Sequence, residues 1–335
     1  MEKFGFLSFG HWRAVPGSRV RSAADALLQT VELAVAAEEL GAGGAYVRVH
    51  HFARQLASPF PLLTAMAVRT RTIELGTGVI DMRYENPLYF AEEAGAADLL
   101  AGGRLQLGVS RGSPETVLNG YELFGYEPSD GRTAAQDARD KTGIMLRAID
   151  GAGLAPADPR HGARGLQPIQ PQSPGLRRRI WWGAGTRDTA RWAAEQGLNL
   201  MSSTLLSEDT GVPFSELQAE QIQIFRSAWA DAGWDWQPRV SVSRSVIPII
   251  TDEDRVYFGQ DGEESQDQLG VLEGVTARFG RSYIGEPDVV AAELAEDEAV
   301  RAADTLLITV PNMLGVDYNA HLLAAFAEHV APALR

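Results

Sequence analysis

Residues 73–112 read IELGTGVIDMRYENPLYFAEEAGAADLLAGGRLQLGVSRG, and this stretch decides the fold. Ile73 to Val79 is apolar, β-branched and punctuated by glycine, the pattern of a buried strand. Asn86-Pro87 opens a helix, because Asn can cap orphan N–H groups and Pro is pre-set for the first helical position. The helix is expected to run to about Ala101, where Gly102-Gly103 ends it at least conformational cost. Arg104 to Val109 reads as a second strand, stopping at Ser110-Arg111-Gly112. Strand, helix and strand in so short a span form a βαβ unit, which makes the strands parallel neighbours.

The same alternation extends in both directions. Upstream, Phe4 to Phe9 is a strand. From Ser22 a helix follows, with Leu27, Leu28, Val31, Ala34, Val35 and Leu40 near helical spacing, closed by Gly41. Ala45 to Val49 is the next strand, finishing at His50-His51-Phe52, and Ser58-Pro59 starts a helix carrying Leu62, Leu63, Met66 and Val68. Downstream come a helix over Thr133 to Ile149, an irregular Gly- and Pro-rich segment over 151–175, and a strand over Ile180 to Gly183. Thr186 caps the next helix, to about Glu195. Strands over Leu198 to Met201 and Val240 to Ile250 flank a helix over Ser215 to Ala232. Residues 252–282, rich in acidic residues and glycine, read as an inserted loop with a helix over the barrel mouth. A helix from Pro287, a strand over Thr305 to Val310 and a helix over Leu314 to Val330 complete the series. Eight strand–helix alternations predict an α/β fold, a (β/α)₈ TIM barrel with inserted loops after strands four and seven, as a single domain over 1–335. An open doubly wound sheet would need a Gly-rich turn after the first strand, which Phe9-Gly10-His11-Trp12 does not supply.

Composition narrows the function classes. The absence of cysteine rules out disulfides and thiolate zinc sites, and no apolar run reaches membrane-spanning length. With no leader ahead of Phe4, a cytoplasmic protein is expected, without membrane partners. A formal net charge of −14 repels phosphate backbones, so nucleic acid is not an expected partner.

In a barrel the chemistry sits where strands end at the C-terminal face. The strand-end residues include aromatics, imidazoles and one arginine, but no cluster of acids with histidines, so no metal is expected. That set suits a planar, phosphate-bearing organic cofactor. Arg111 is the leading anion ligand, since a guanidinium grips phosphate bidentately; a structural ion pair is the competing reading. Gly183-Ala184-Gly185-Thr186 precedes a helix start whose dipole favours an anion, with Thr189 one turn on; a plain helix cap explains the same residues. His50 and His51 alternate faces, so one points inward, as a general acid/base near neutral pH or as a hydrogen-bonded strand end. Arg177 to Arg179 reads as a solvated lead-in to a strand, and Trp181 and Trp182 as core.

At these residues the chain resembles the bacterial luciferase-like flavin-dependent oxidoreductases. The blocks are VRVHHF (47–52), IELGTGV with ENP following (73–87), GRLQLGVSRG (103–112) and IWWGAGTRDTARWAAEQGL (180–198), with PIQPQSPG ahead of the last. The resemblance implies a (β/α)₈ barrel, usually dimeric, with a reduced-flavin site at its mouth. It implies that Arg111 holds the FMN phosphate, and that Gly183, Ala184, Gly185, Thr186 and Thr189 form the rest of the phosphate cradle. Thr77, Gly78 and Val79 would back the flavin ring, with a cis Gly78–Val79 bond expected, and His50 would be the active-site histidine. The loop after strand seven would be mobile. Where luciferase has a glutamate ahead of the histidine pair, this chain has Val49. Phe9, His11 and Trp12 are the expected substrate pocket.

The implied activity is that of a monooxygenase using reduced FMN from a separate reductase, with O₂ and a small, apolar organic substrate, in a homodimer. A deazaflavin-dependent dehydrogenase of the same superfamily and a non-catalytic flavin-binding, luciferase-subunit-like protein are the alternatives.

Overall fold

The computed structural model describes residues 1–112, 117–128, 131–162, 164–207, 211–259, 267–272 and 275–334. Eight parallel strands form its centre: β1 (Lys3–Ser8), β2 (Gly44–Val47), β3 (Glu74–Asp81), β4 (Leu105–Ser110), β5 (Ile180–Ala184), β6 (Asn199–Ser202), β7 (Val240–Pro248) and β8 (Thr305–Thr309). Each pairs with the next, β6 pairs with β7 through Leu200 and Val240, and β1 pairs with β8, so the sheet closes as a TIM barrel.

The helices wrap this barrel: α1 (Ala23–Glu39), α2 (Pro59–Arg69), α3 (Pro87–Leu100), α4 (Ala134–Ile149), α5 (Arg187–Glu195), α6 (Phe214–Ala232), α7 (Asp252–Phe258), α8 (Pro287–Glu296), α9 (Glu298–Ala302) and α10 (Gly315–Ala325). The predicted stop and start signals operate as read. Asn86 Oδ1 accepts from the N–H groups of Leu88 and Tyr89, and Gly102 and Gly103 take φ values of 64° and 80°.

Three expectations are corrected. Leu27, Leu28 and Val68 face solvent; Val31 and Ala34 are buried as expected, and α1 buries Ala26, Thr30, Leu33 and Ala37 beside them. Arg177 to Arg179 is not simply solvated: Arg179 pairs with fully buried Asp98 at 2.6 Å, and Arg177 donates to the carbonyl of Gly197. Within 252–282 a β-hairpin (Gln268–Leu272 with Val275–Phe279) follows α7, and its second strand pairs with Leu205–Leu206 at the barrel mouth. The final helix reaches Val330 as expected, passing after Ala325 into one wider turn over Phe326–Val330.

The barrel interior is sealed at one end and open at the other. Leu7, Tyr46, Trp181, Met201 and Leu307 pack on its axis. At the N-terminal end Glu74 binds both Lys3 and Arg239, at 2.9 and 2.8 Å, and the Arg239 guanidinium lies over the Trp181 ring. Among the described residues the interior opens at the C-terminal ends of the strands.

Candidate active site

A cavity of about 370 Å³ opens at that end, inside the size range of small-molecule sites. Two loops and a helix start build one side. At the end of β4, Ser110 Oγ accepts the N–H of Gly112 at 2.8 Å, and Gly112 takes a φ of 90°, so the chain turns sharply and lifts Arg111 onto the cavity wall. Beyond β5, Thr186 caps α5: its Oγ1 accepts the N–H of Thr189 at 3.2 Å, while Thr189 Oγ1 donates to the carbonyl of Thr186 at 2.9 Å. The two hydroxyl oxygens lie 3.0 Å apart, so with the Thr189 hydrogen given to that carbonyl the Thr186 hydroxyl donates to Thr189 Oγ1. Arg111, Gly185, Thr186 and Thr189 share this wall.

Two neighbours of this cradle were not foreseen. Arg139 of α4 also lines the cavity; it sits 3.3 Å from Asp188 and over the Trp192 ring, tying α4 to α5. Its signal was its spacing from Ala135, one turn back on the same helix face. Buried Gln221 of α6 donates to the carbonyls of Ala184 and Thr186 at 3.2 and 3.0 Å and so holds the β5–α5 turn in place. A glutamine inside an amphipathic helix carries no such sign in sequence.

The opposite wall begins at β3. Its pairing with β4 slips by one residue between Thr77 and Ile80, a bulge that turns Gly78 and Val79 into the cavity. The Gly78–Val79 peptide bond is cis, as expected. Thr77 is not on the wall; it is fully buried and donates to the carbonyl of Gly108 at 2.9 Å. Ala184 is likewise buried outside the cavity, and its carbonyl accepts from Gln221 Nε2 and the N–H of Ser203. Trp182 belongs to the core yet also lines the cavity, so the expectation of a purely structural residue is too narrow.

Of the histidine pair, His50 faces the cavity and His51 faces away, stacked on Tyr84 at 4.0 Å between ring centres. Alternation explains it: Tyr46, Arg48 and His50 share one parity, and Tyr46 lies on the barrel axis. Burial, with the charge of Arg48 beside it and His11 and His51 near, pushes the His50 pKa down to about 4. At neutral pH the imidazole is therefore uncharged, which corrects the reading of a group titrating near neutrality.

Phe9, His11 and Trp12 are not on the cavity wall. Phe9 packs against the axial cluster, beneath the Arg48 guanidinium at 4.8 Å, and stacks on His11. His11 is bonded to Gln55 at the surface, and Trp12 lies against the main core under Arg54. The loop after β1 folds outward, which single-strand reasoning cannot foresee. In place of these aromatics the wall carries Arg48 and a run of hydroxyls, Ser203, Thr204, Ser241 and Ser243 among them.

The cavity's charge opposes that of the whole chain. Its charged lining among the described residues is Arg48, Arg111, Arg139 and Asp81, and Asp81 is gripped bidentately by Arg83 at 2.6–3.0 Å. A chain of net charge −14 thus focuses positive potential at this mouth.

Comparison with known proteins follows the same line. The sequence profile of the family described as luciferase-like monooxygenase matches residues 1–257. The oxygenase component of the flavin-dependent trigonelline monooxygenase of Acinetobacter baylyi is 22% identical over 82% of this chain and 74% of its own length. The chain spans only 56% and 33% of the length of two further curated relatives, at 31% and 34% identity. Among solved structures, the oxygenating constituent of 3,6-diketocamphane monooxygenase from Pseudomonas putida, in complex with FMN, superimposes with a TM-score of 0.69 at 17% identity, covering 99% of each chain. The coenzyme F420-dependent tetrahydromethanopterin reductase of Methanopyrus kandleri shares the fold with a TM-score of 0.66 at 15% identity, over all of both chains. With three quarters of its length matched by the family profile, this chain belongs to the luciferase-like monooxygenase family.

Proposed function

We propose that the protein is the oxygenase of a two-component flavin monooxygenase, taking reduced FMN and O₂ to oxidise a small organic substrate. One juxtaposition carries this reading: Arg111 at the end of β4 and the capped start of α5 line a single cavity with His50. The donor set fits a phosphate. Arg111 and Arg139 supply guanidinium N–H groups, and α5 the positive end of its dipole. Gly78, Val79 and Trp182 offer an apolar wall to a flat ring, and Leu7, Met201 and Leu307 close the floor against water. When bound, reduced flavin supplies the electrons that activate oxygen. His50 offers a neutral imidazole with one N–H donor and one acceptor nitrogen, able to pass a proton to a departing oxygen and recover one. The family relation to named monooxygenases supports the class of reaction, and the neighbour described as an oxygenating constituent supports a separate reductase.

The test is an anaerobic titration of the purified chain with reduced FMN, oxidised FMN and coenzyme F420, followed by oxygen uptake with candidate substrates. Tight binding of reduced FMN and substrate-dependent oxygen consumption are expected. Preference for F420 with hydride transfer and no oxygen uptake would replace this reading by a deazaflavin-dependent dehydrogenase. Flavin binding by folded protein without any turnover would make it a non-catalytic flavin carrier.

A further inference from the structure

The turn between β5 and α5 has spent its hydroxyl hydrogens internally. Thr186 Oγ1 and Thr189 Oγ1 lie 3.0 Å apart, and Thr189 donates to the Thr186 carbonyl at 2.9 Å. Most of its backbone is spent as well. The Gly185 carbonyl accepts from the N–H of Ser207 at 3.2 Å, and the Thr186 N–H donates to Thr189 Oγ1 at 3.3 Å. The Gly185 N–H donates to no described residue, and Gly185 lines the cavity. Its direction follows from the sheet. The Ala184 carbonyl accepts from the N–H of Ser203, just past β6, at 3.0 Å, so it points to the β6 side. The Ala184–Gly185 peptide is trans, which sets its C=O and N–H antiparallel. The Gly185 N–H therefore points to the β4 side, where Arg111 lines the same cavity.

A buried side-chain relay fixes that peptide plane. Gln221 of α6 is 1% exposed, and its Nε2 donates to the Ala184 carbonyl at 3.2 Å and to the Thr186 carbonyl at 3.0 Å. Ser202 of β6, also buried, donates through Oγ to Gln221 Oε1 at 2.6 Å. With Ser202 on its oxygen, the amide cannot flip without turning that oxygen toward two carbonyls. Each carbonyl has another donor besides, the N–H of Ser203 for Ala184 and the N–H of Ala190 for Thr186. Gln221 is thus not needed to satisfy them, and its two bonds go into orientation. A fully bonded polar network of this kind rigidifies the backbone it holds.

We infer that Ser202 and Gln221 are positioning residues that aim the Gly185 N–H at the anionic group of the cofactor, beside Arg111, and so give the protein a preference for phosphorylated over unphosphorylated flavin. Gln221 is outside the cavity lining and acts only through the turn. The inference rests on the flavin reading for the identity of the ligand. The aimed N–H belongs to the turn itself and serves any phosphate placed there.

The test titrates the purified chain with FMN and with riboflavin, which differ only in the phosphate, and follows flavin fluorescence. The native chain is expected to bind FMN at least about tenfold tighter, the scale of hydrogen bonds to a charged group. Gln221→Met keeps the length and loses the amide; it should weaken FMN about five- to tenfold and leave riboflavin within about twofold. Ser202→Ala frees the amide oxygen and should narrow the ratio in the same direction by about two- to fivefold. A merely structural role lowers both flavins together, so equal losses in folded Gln221→Met overturn the inference. An unchanged ratio in that variant, or equal binding of the two flavins by the native chain, overturns it too. If Gln221→Met does not fold, the ratio in Ser202→Ala decides. If the native chain binds neither flavin, the flavin reading fails, and inorganic phosphate still decides the turn. The Gly185 N–H resonance should then shift with phosphate in the native chain and not in Gln221→Met or Ser202→Ala. No shift in the native chain, or the same shift in the variants, overturns the inference.

Discussion

Val79 occupies the space that a side chain on Gly183 would need: a Cβ built on Gly183 stands 3.0 Å from Val79 Cγ1 and 3.4 Å from Ser110 Cβ. The same Val79 Cγ1 lies 3.0 Å from a Cβ built on Gly108. Two glycines, on β5 and β4, thus make room for the bulged turn of β3 that enters the cavity. Gly183→Ala is expected to push Val79 into the cavity, costing about 1–3 kcal/mol of stability through overpacking and weakening the proposed FMN binding. Thermal unfolding and flavin titration check it; unchanged values for both would mean that Val79 has room to yield.

Arg111 and Thr186 should separate cleanly when mutated. Arg111 is exposed at the mouth, so Arg111→Ala should leave the free protein's stability within about 0.5 kcal/mol. It should weaken FMN binding by about 1.5–3 kcal/mol. Thr186→Val removes the helix cap, so it should cost about 0.5–2 kcal/mol of stability as well as loosening the proposed phosphate cradle. Denaturant melts of the cofactor-free proteins, paired with flavin titrations, distinguish the two patterns.

His50 gives a signed pH dependence. Its folded pKa, about 4, lies below the ordinary histidine value of 6.5, so the unfolded chain binds a proton first as pH falls. The stability linked to His50 is therefore fully present above pH 6.5 and is lost as pH falls from there toward 4. Arg48→Met removes a repelling charge and should raise the His50 pKa toward 6.5. An NMR titration of the His50 ring reads this directly; a midpoint near 6.5 in the native chain would contradict the burial argument.

Asp98 offers a prediction remote from the cavity. It is fully buried on α3 and accepts from Ser173 and Arg179 at 2.6 Å and from the N–H of Leu105 at 3.1 Å. Asp98→Ala leaves the Arg179 guanidinium without its partner and should cost about 3–5 kcal/mol. Protein that still folds should bind FMN with native affinity, since Asp98 touches no part of the cavity wall.

The eight strand–helix alternations, the Asn86 and Thr186 caps and the Gly102-Gly103 stop were legible in the chain because each depends on local conformational cost or on short-range periodicity. So was the meeting of Arg111 with Gly185, Thr186 and Thr189, since adjacent parallel strands bring their ends together. Parity also separated His50 from His51. Only the tertiary structure decided that Arg48 spans the mouth to Thr204, that Arg139 and Gln221 join the cradle, and that Phe9, His11 and Trp12 lie outside it. The physical reason is reach. Caps, strands and helices are settled within a few residues, whereas a long side chain or a loop is placed by what stands across the barrel, which no neighbouring position in the chain records.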